Sequence, residues 1–276
     1  LPQRVPSLAD FALNTTGGFV GAILASMFTA RWKPVAFLMD WRARTFAATP
    51  EADLAVAALI AWVLAQLTPF VPAFDLGSLR NGLAPLAATL NDPATFNPAQ
   101  ALGSALEVFA LVLLARDARN RAVSLTRLFW LLALAVMMLK VVVISRQLSA
   151  EMIIGTVAGL TLGFGWPRRL KPMRPVLAAL AVTLALVISE LTPSPGALRH
   201  LNWTPFVAHM SNPMLGLSVL IDNVWPYLIL AAALVALSNT GRIPALVIIL
   251  ACGGLSFALE WMQQHIPGRT PDITTV

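Results

Sequence analysis

One cysteine, one tyrosine and three histidines in 276 residues leave little for redox or metal chemistry to use. Cys252 lies in an apolar run, so no disulfide framework can form and no thiolate cluster can surround a metal. His200, His209 and His265 lack the close His, Asp or Glu spacing that sets ligands on one face, so no metal centre is expected. Charge is equally scarce, at 12% of the chain against 58% hydrophobic residues. A soluble domain of this length cannot enclose so much apolar surface, and the mean hydropathy of +0.75 places the chain in a membrane. The formal charge of +6 is split among separate loops, which argues against a nucleic-acid face. The alternation of a lipid-facing barrel is missing, as are a Gly-rich phosphate loop, a Gly-x-Ser-x-Gly elbow and a signal-peptide pattern. No cofactor is expected. The chain opens on Leu1 inside a motif and reads as a piece trimmed at both ends.

What the chain has is apolar length. A spanning helix needs about 20 mainly apolar residues, and eight segments qualify: 9–30, 52–70, 99–115, 126–145, 150–166, 174–192, 216–237 and 243–262. The expected fold is an all-α polytopic bundle of about eight spanning helices. Arg31, Lys33, Arg42 and Arg44, then Arg116, Arg119, Arg121 and Arg127, then Arg168, Arg169, Lys171 and Arg174, and finally Arg242 put 13 of the 19 cations in alternate loops. The positive-inside rule makes those loops cytoplasmic and both ends of the chain extracytoplasmic. One outer loop carries Pro69, Pro72, Pro85, Pro93 and Pro98 around an apolar stretch, Leu83 to Leu90, that is too short to span and suits a re-entrant or interfacial piece. The outer loop after the sixth segment places Trp203 and Phe206 at headgroup depth. Lys140, inside the fourth segment, is the one cation read at depth, and it is expected to snorkel outward.

The sequence also repeats itself. Leu67-Thr68-Pro69 returns as Leu191-Thr192-Pro193, 124 positions on, and Arg146 returns as Arg269, 123 positions on. A diverged four-helix unit explains both offsets, with residues 1–50 the tail of an earlier copy, 51–173 a degenerate middle copy and 174–276 the most complete one. Arg4, Asp10 and Asn14 open the chain as Arg269 and Asp272 close it. Gly17, Gly18 and Gly21 follow the first motif, and Gly155, Gly159 and Gly163 form a four-residue stripe after the middle one, which lets a neighbouring helix approach closely.

Glu260, Gln263 and Gln264 fall on one face at the end of the last segment, and Arg269 is near enough to fold back over them. These residues are read either as a structural cluster, with Asp272 and Asp10 capping helices, or as a polar site that touches a ligand. The run Glu260-Trp261-Met262-Gln263 through Arg269-Thr270-Pro271-Asp272 resembles the signature of the VanZ-like family, a Glu-x-x-Gln helix end followed by an Arg-x-x-Asp turn. Asn14 with Gly17 resembles the Asn-x-x-Gly helix that completes it, and Asn202 and Asn223 resemble the upstream loop and helix. In the middle copy Arg146 and Glu151 match, while Gly155 stands where the pattern has Asn. The resemblance implies a bacterial cell-envelope membrane protein linked to teicoplanin resistance. The expected partners are the bilayer and, at an outward polar site, a lipid-linked wall precursor or the glycopeptide itself. Two alternatives are a repeat-built transporter or lipid scramblase, and a membrane-embedded hydrolase or transferase with Glu260 or Asp272 as general acid or base.

Overall fold

The computed structural model of the chain describes Thr15, Phe19 and residues 33–120, 124–204, 213–238 and 244–273. Among these the chain is helical throughout: α1 Lys33–Thr45, α2 Pro50–Leu67, α3 Leu76–Asn91, α4 Pro98–Asp117, α5 Leu125–Val142, α6 Ala150–Gly165, α7 Arg174–Leu191, α8 Pro213–Leu237 and α9 Ala245–Gln263. Local chemistry sets the starts. Asn97 accepts from the amides of Ala99 (3.1 Å) and Gln100 (3.2 Å) ahead of Pro98, and Ser149 accepts from Met152 N at 3.2 Å. Asp75 accepts from Ser78 N at 2.8 Å, and its bonds to Ser78 hold this carboxyl below the usual carboxylate range.

Six stretches are long and apolar enough to cross a membrane: Pro50–Leu67, Pro98–Asp117, Leu125–Val142, Arg168–Leu191, Ser218–Leu237 and Ala245–Gln263. Of the eight expected spans, six meet that length among the described residues. The 150–166 segment is the 16-residue α6, about 24 Å long against a core of about 30 Å, because Pro167 disfavours helix at Trp166 and ends it. Arg4 and the 9–30 segment, with Asp10, Asn14, Gly17, Gly18 and Gly21, lie outside the described residues, apart from Thr15 and Phe19. The stretch Leu83 to Leu90 belongs to a longer helix, α3, which keeps Pro85 in its interior.

The last helix is inverted relative to one of a soluble bundle. On α9, Leu246, Val247, Ile249 and Leu250 are exposed, while Ser256, Glu260 and Gln263 are buried with Leu259. Apolar outside and polar inside is what a hydrocarbon solvent selects, since each polar side chain must find a partner within the protein. The chain is therefore a multi-pass helical membrane protein.

The chain divides into two compact units, residues 1–47 with 120–123 and residues 48–119 with 124–276. In the first, Arg44 pairs with Asp40 one turn back on α1, and the Asn120 side-chain amide donates to Ala43 O at 3.1 Å. In the second, α4 packs most extensively on α6 and also on α7, while α2 packs on α8. The α4 and α6 backbones touch along the glycine stripe. A Cβ on Gly155 would lie 2.4 Å from Ala101 O and one on Gly159 2.5 Å from Ala105 O, with Gly163 against Val112. At the far end of α4, Arg174 pairs with Asp117 at 2.9 Å, both mostly buried, and Arg116 donates to the Gly163 and Trp166 carbonyls.

Candidate functional site

The polar residues of the second unit gather where α2, α5, α7 and α9 end. Past α9 the chain turns back through Gly268, whose φ of 75° suits glycine. Gly268 N donates to Ala197 O at 3.2 Å and Ser194 N to Pro267 O at 3.1 Å, which clamps this turn to the loop after α7. Arg269 thereby reaches the α7 terminus, donating through Nε to Thr192 O at 2.9 Å and through Nη2 to Ser189 O. Helix C-termini leave carbonyls unpaired and partly negative, so a guanidinium is a fitting cap. Asp272 N donates to Glu260 Oε2 at 3.0 Å, Asn202 Nδ2 to Asp272 Oδ2 at 3.2 Å, and Gln263 Nε2 to Glu190 Oε2 at 2.9 Å. Gln264 is half-buried at the α9 C-cap.

A second set of contacts has the same form. Arg146 Nε donates to Thr68 O, and its Nη2 reaches Thr68 Oγ1 at 3.3 Å, Ser218 Oγ at 3.2 Å and both Asp222 oxygens at 3.2 Å. Lys140 Nζ donates to Gln66 Oε1 at 2.9 Å and lies 3.1 Å from Met152 Sδ. Lys140 therefore turns toward a neighbouring helix instead of snorkelling outward, because an amide oxygen is within reach there. Thr68 and Arg146 correspond by position to Thr192 and Arg269, and Gln66 and Lys140 to Glu190 and Gln263. Three residues after Arg146, where Asp272 follows Arg269, stands Ser149, the cap of α6. The buried Glu151 instead accepts from Asn97 N at 2.9 Å.

Three cavities meet these residues. The largest, about 650 Å3, is lined among others by Gln66, Gln100, Glu107, Lys140, Arg146 and Glu151. A second of about 160 Å3 takes in Glu107, Glu190, Asp222, Asn223 and Glu260, and a third of about 360 Å3 takes in Glu107, Thr192 and Arg269. Glu107 borders all three. Besides Lys140, the one cation read at depth, the carboxylates Glu107, Glu190 and Asp222 are also inside spanning segments. Their signal was a single carboxylate within an apolar run, which by itself marks an internal polar site.

The structure brings together Glu260, Gln263, Arg269, Asp272 and Asn202, and separately Arg146 with the chamber that Glu151 lines. His200 and His265 are exposed, and His209 lies outside the described residues. Among the described residues no three His, Cys, Asp or Glu side chains are placed to hold a metal ion. Exposed Trp203, Phe257 and Trp261 form an aromatic row, with ring centroids 6.5 and 6.1 Å apart, of the kind that sits at a membrane interface. Fold and site together define the class, a multi-pass membrane protein with a charged chamber among its helix ends. Set against known protein families, curated proteins and solved structures, the chain finds no match in any of the three.

Proposed function

We propose that this chain is a VanZ-like integral membrane protein of the bacterial cell envelope, whose polar chamber engages the head group of a lipid-linked envelope precursor and so modulates sensitivity to glycopeptides such as teicoplanin. The observation that carries this reading is the chamber of about 650 Å3 among apolar helices, lined by Lys140 and Arg146 together with carboxylate and amide side chains. Cationic donors suit phosphate, and carboxylates and amides suit the hydroxyl and amide groups of a glycosylated or peptidyl head. The family reading is supported by the turn after α9, which bonds Asp272 N to Glu260 and sets Arg269 on the C-terminus of α7. The recurrence of the Arg-to-Thr and Lys/Gln-to-Gln/Glu contacts at offsets of 123 and 124 supports units 51–173 and 174–276 as diverged copies. The chamber is assigned to the extracytoplasmic side, opposite the loops rich in arginine. In a strain where deleting the gene alters teicoplanin sensitivity, Lys140→Ala and Arg146→Ala in the chamber, and Arg269→Ala and Glu260→Ala in the cavities beside it, should each reproduce the deletion while the protein still accumulates in the membrane. Unchanged sensitivity at normal membrane levels would sink the assignment.

A second reading, a repeat-built transporter or lipid scramblase, is favoured by one observation. Glu107 is the tenth of the twenty residues of α4, at mid-span, where transport sites lie. It predicts water access to the chamber from the cytoplasmic side in some state of the protein, which the first reading does not.

A further inference from the structure

The chamber holds charges of both signs, and of these Arg146 is ion-paired, with Asp222, while Glu107 and Lys140 are not within ion-pair distance of an opposite charge among the described residues. Among the described residues Glu107 has no hydrogen-bond or ion-pair partner, although it borders every cavity of the site. Lys140, on the same 650 Å3 chamber, spends its donors on one amide oxygen and one thioether, a weak acceptor, and so has a third N–H to offer. Arg146, on that chamber too, bonds through Nε and, in its pair with Asp222, through Nη2, and among the described residues Nη1 has no partner. Opposite charges withdrawn from bulk water and held apart call for something between them, because each alone is expensive to desolvate.

Resting on the part of that reading by which the chamber receives a lipid-borne head group, we infer that this head is zwitterionic: a phosphate at Lys140 and Arg146, and a primary ammonium at Glu107. A purely anionic head would satisfy the cations and leave Glu107 repelled. A quaternary ammonium would balance the charge but has no N–H to give the carboxylate. The setting suits a lipid, since α3 turns Pro85, Ala88 and Thr89 to the chamber while Leu76 and Leu90 stay exposed, as on a helix lying in an interface. The ligand class is therefore a phosphoethanolamine-type head.

The full chain in non-ionic detergent should be titrated with short-chain phosphatidylethanolamine, phosphatidylglycerol and phosphatidylcholine, and with free phosphoethanolamine, with occupancy read by native mass spectrometry. Phosphatidylethanolamine should bind tighter than the other two lipids by about tenfold, the scale of one charge-assisted hydrogen bond. Free phosphoethanolamine should compete only weakly if the head is read as part of a lipid, and as well as the lipid if a soluble phosphate ester is the ligand. Glu107→Gln should erase the preference without weakening phosphatidylglycerol, Glu107→Asp should keep part of it, and Lys140→Gln should weaken all three lipids alike. Equal binding of the three lipids, or a preference that survives Glu107→Gln, overturns the zwitterion assignment while leaving a headgroup chamber standing. Lipid binding that Lys140→Gln leaves untouched overturns both.

Discussion

At the scale of single residues, the candidate site depends on one glycine that is not part of it. Gly268 has φ 75°, and a Cβ there would lie 2.2 Å from Ser194 O, so neither the backbone conformation nor the space admits a side chain. The same turn holds Arg269 against Thr192 O, which makes the glycine a positioning element for the guanidinium. Gly268→Ala should destabilise the protein by about 1–3 kcal/mol, the usual range for overpacking and a strained φ. Thermal unfolding of the full chain in detergent would read the loss, and an unchanged midpoint would show that the turn can relax. The sequence made half of this arrangement legible. Spacing put Glu260 and Gln263 on one helix face, and proximity put Arg269 near them, but their partners Glu190, Thr192 and Asn202 are about seventy residues or more away in the chain. Only the repeat offsets carried information over that distance.

At the scale of helices, small residues divide into those that admit a neighbour and those that face open space. Gly155, Gly159 and Gly163 face α4 so closely that a methyl at Gly159 would sit 2.5 Å from a backbone carbonyl, while Gly253 and Gly254 of α9 have nothing within 4 Å. Gly159→Ala should therefore cost about 1–3 kcal/mol by pushing α6 off α4. Gly254→Ala should be neutral or stabilising by up to about 1 kcal/mol, since alanine is the better helix former. Apparent melting of the two variants beside the parent tests the contrast, and equal shifts would refute the packing account. The stripe was legible because four-residue spacing is a property of the helix itself. The shortness of α6 and the extent of α3 were less so, because hydropathy averages over a window while Pro167 and the Asp75 cap act at single positions. Glu107 was hidden for a related reason: one carboxylate barely changes the hydropathy of a twenty-residue span, although burying it shapes the whole interior.

At the scale of the molecule, the second unit has two chemically different ends. Gln66, Lys140, Glu190 and Gln263 all fall within the last three residues of α2, α5, α7 and α9, so four helices end at the polar side of this unit. The C-terminal end of α4 lies instead with the start of α7, where Arg116, Asp117 and Arg174 interlock beside Arg168 and Arg169. Cationic loops are retained in the cytoplasm, so the arginine end should face inward and the chamber outward. Exposed positions on both ends allow a test with little disturbance to the interior. In a Cys252→Ala background, Gln147→Cys and Thr270→Cys, 123 residues apart and at matching places in the proposed repeat, should react with an impermeant maleimide on intact cells. Arg169→Cys should react only after permeabilisation. Labelling of Gln147→Cys and Thr270→Cys from opposite sides would break the parallel duplication. Their shared reactivity from the cytoplasmic side in any condition would favour the transporter or scramblase, because a binding chamber open only outward has no route for that reagent.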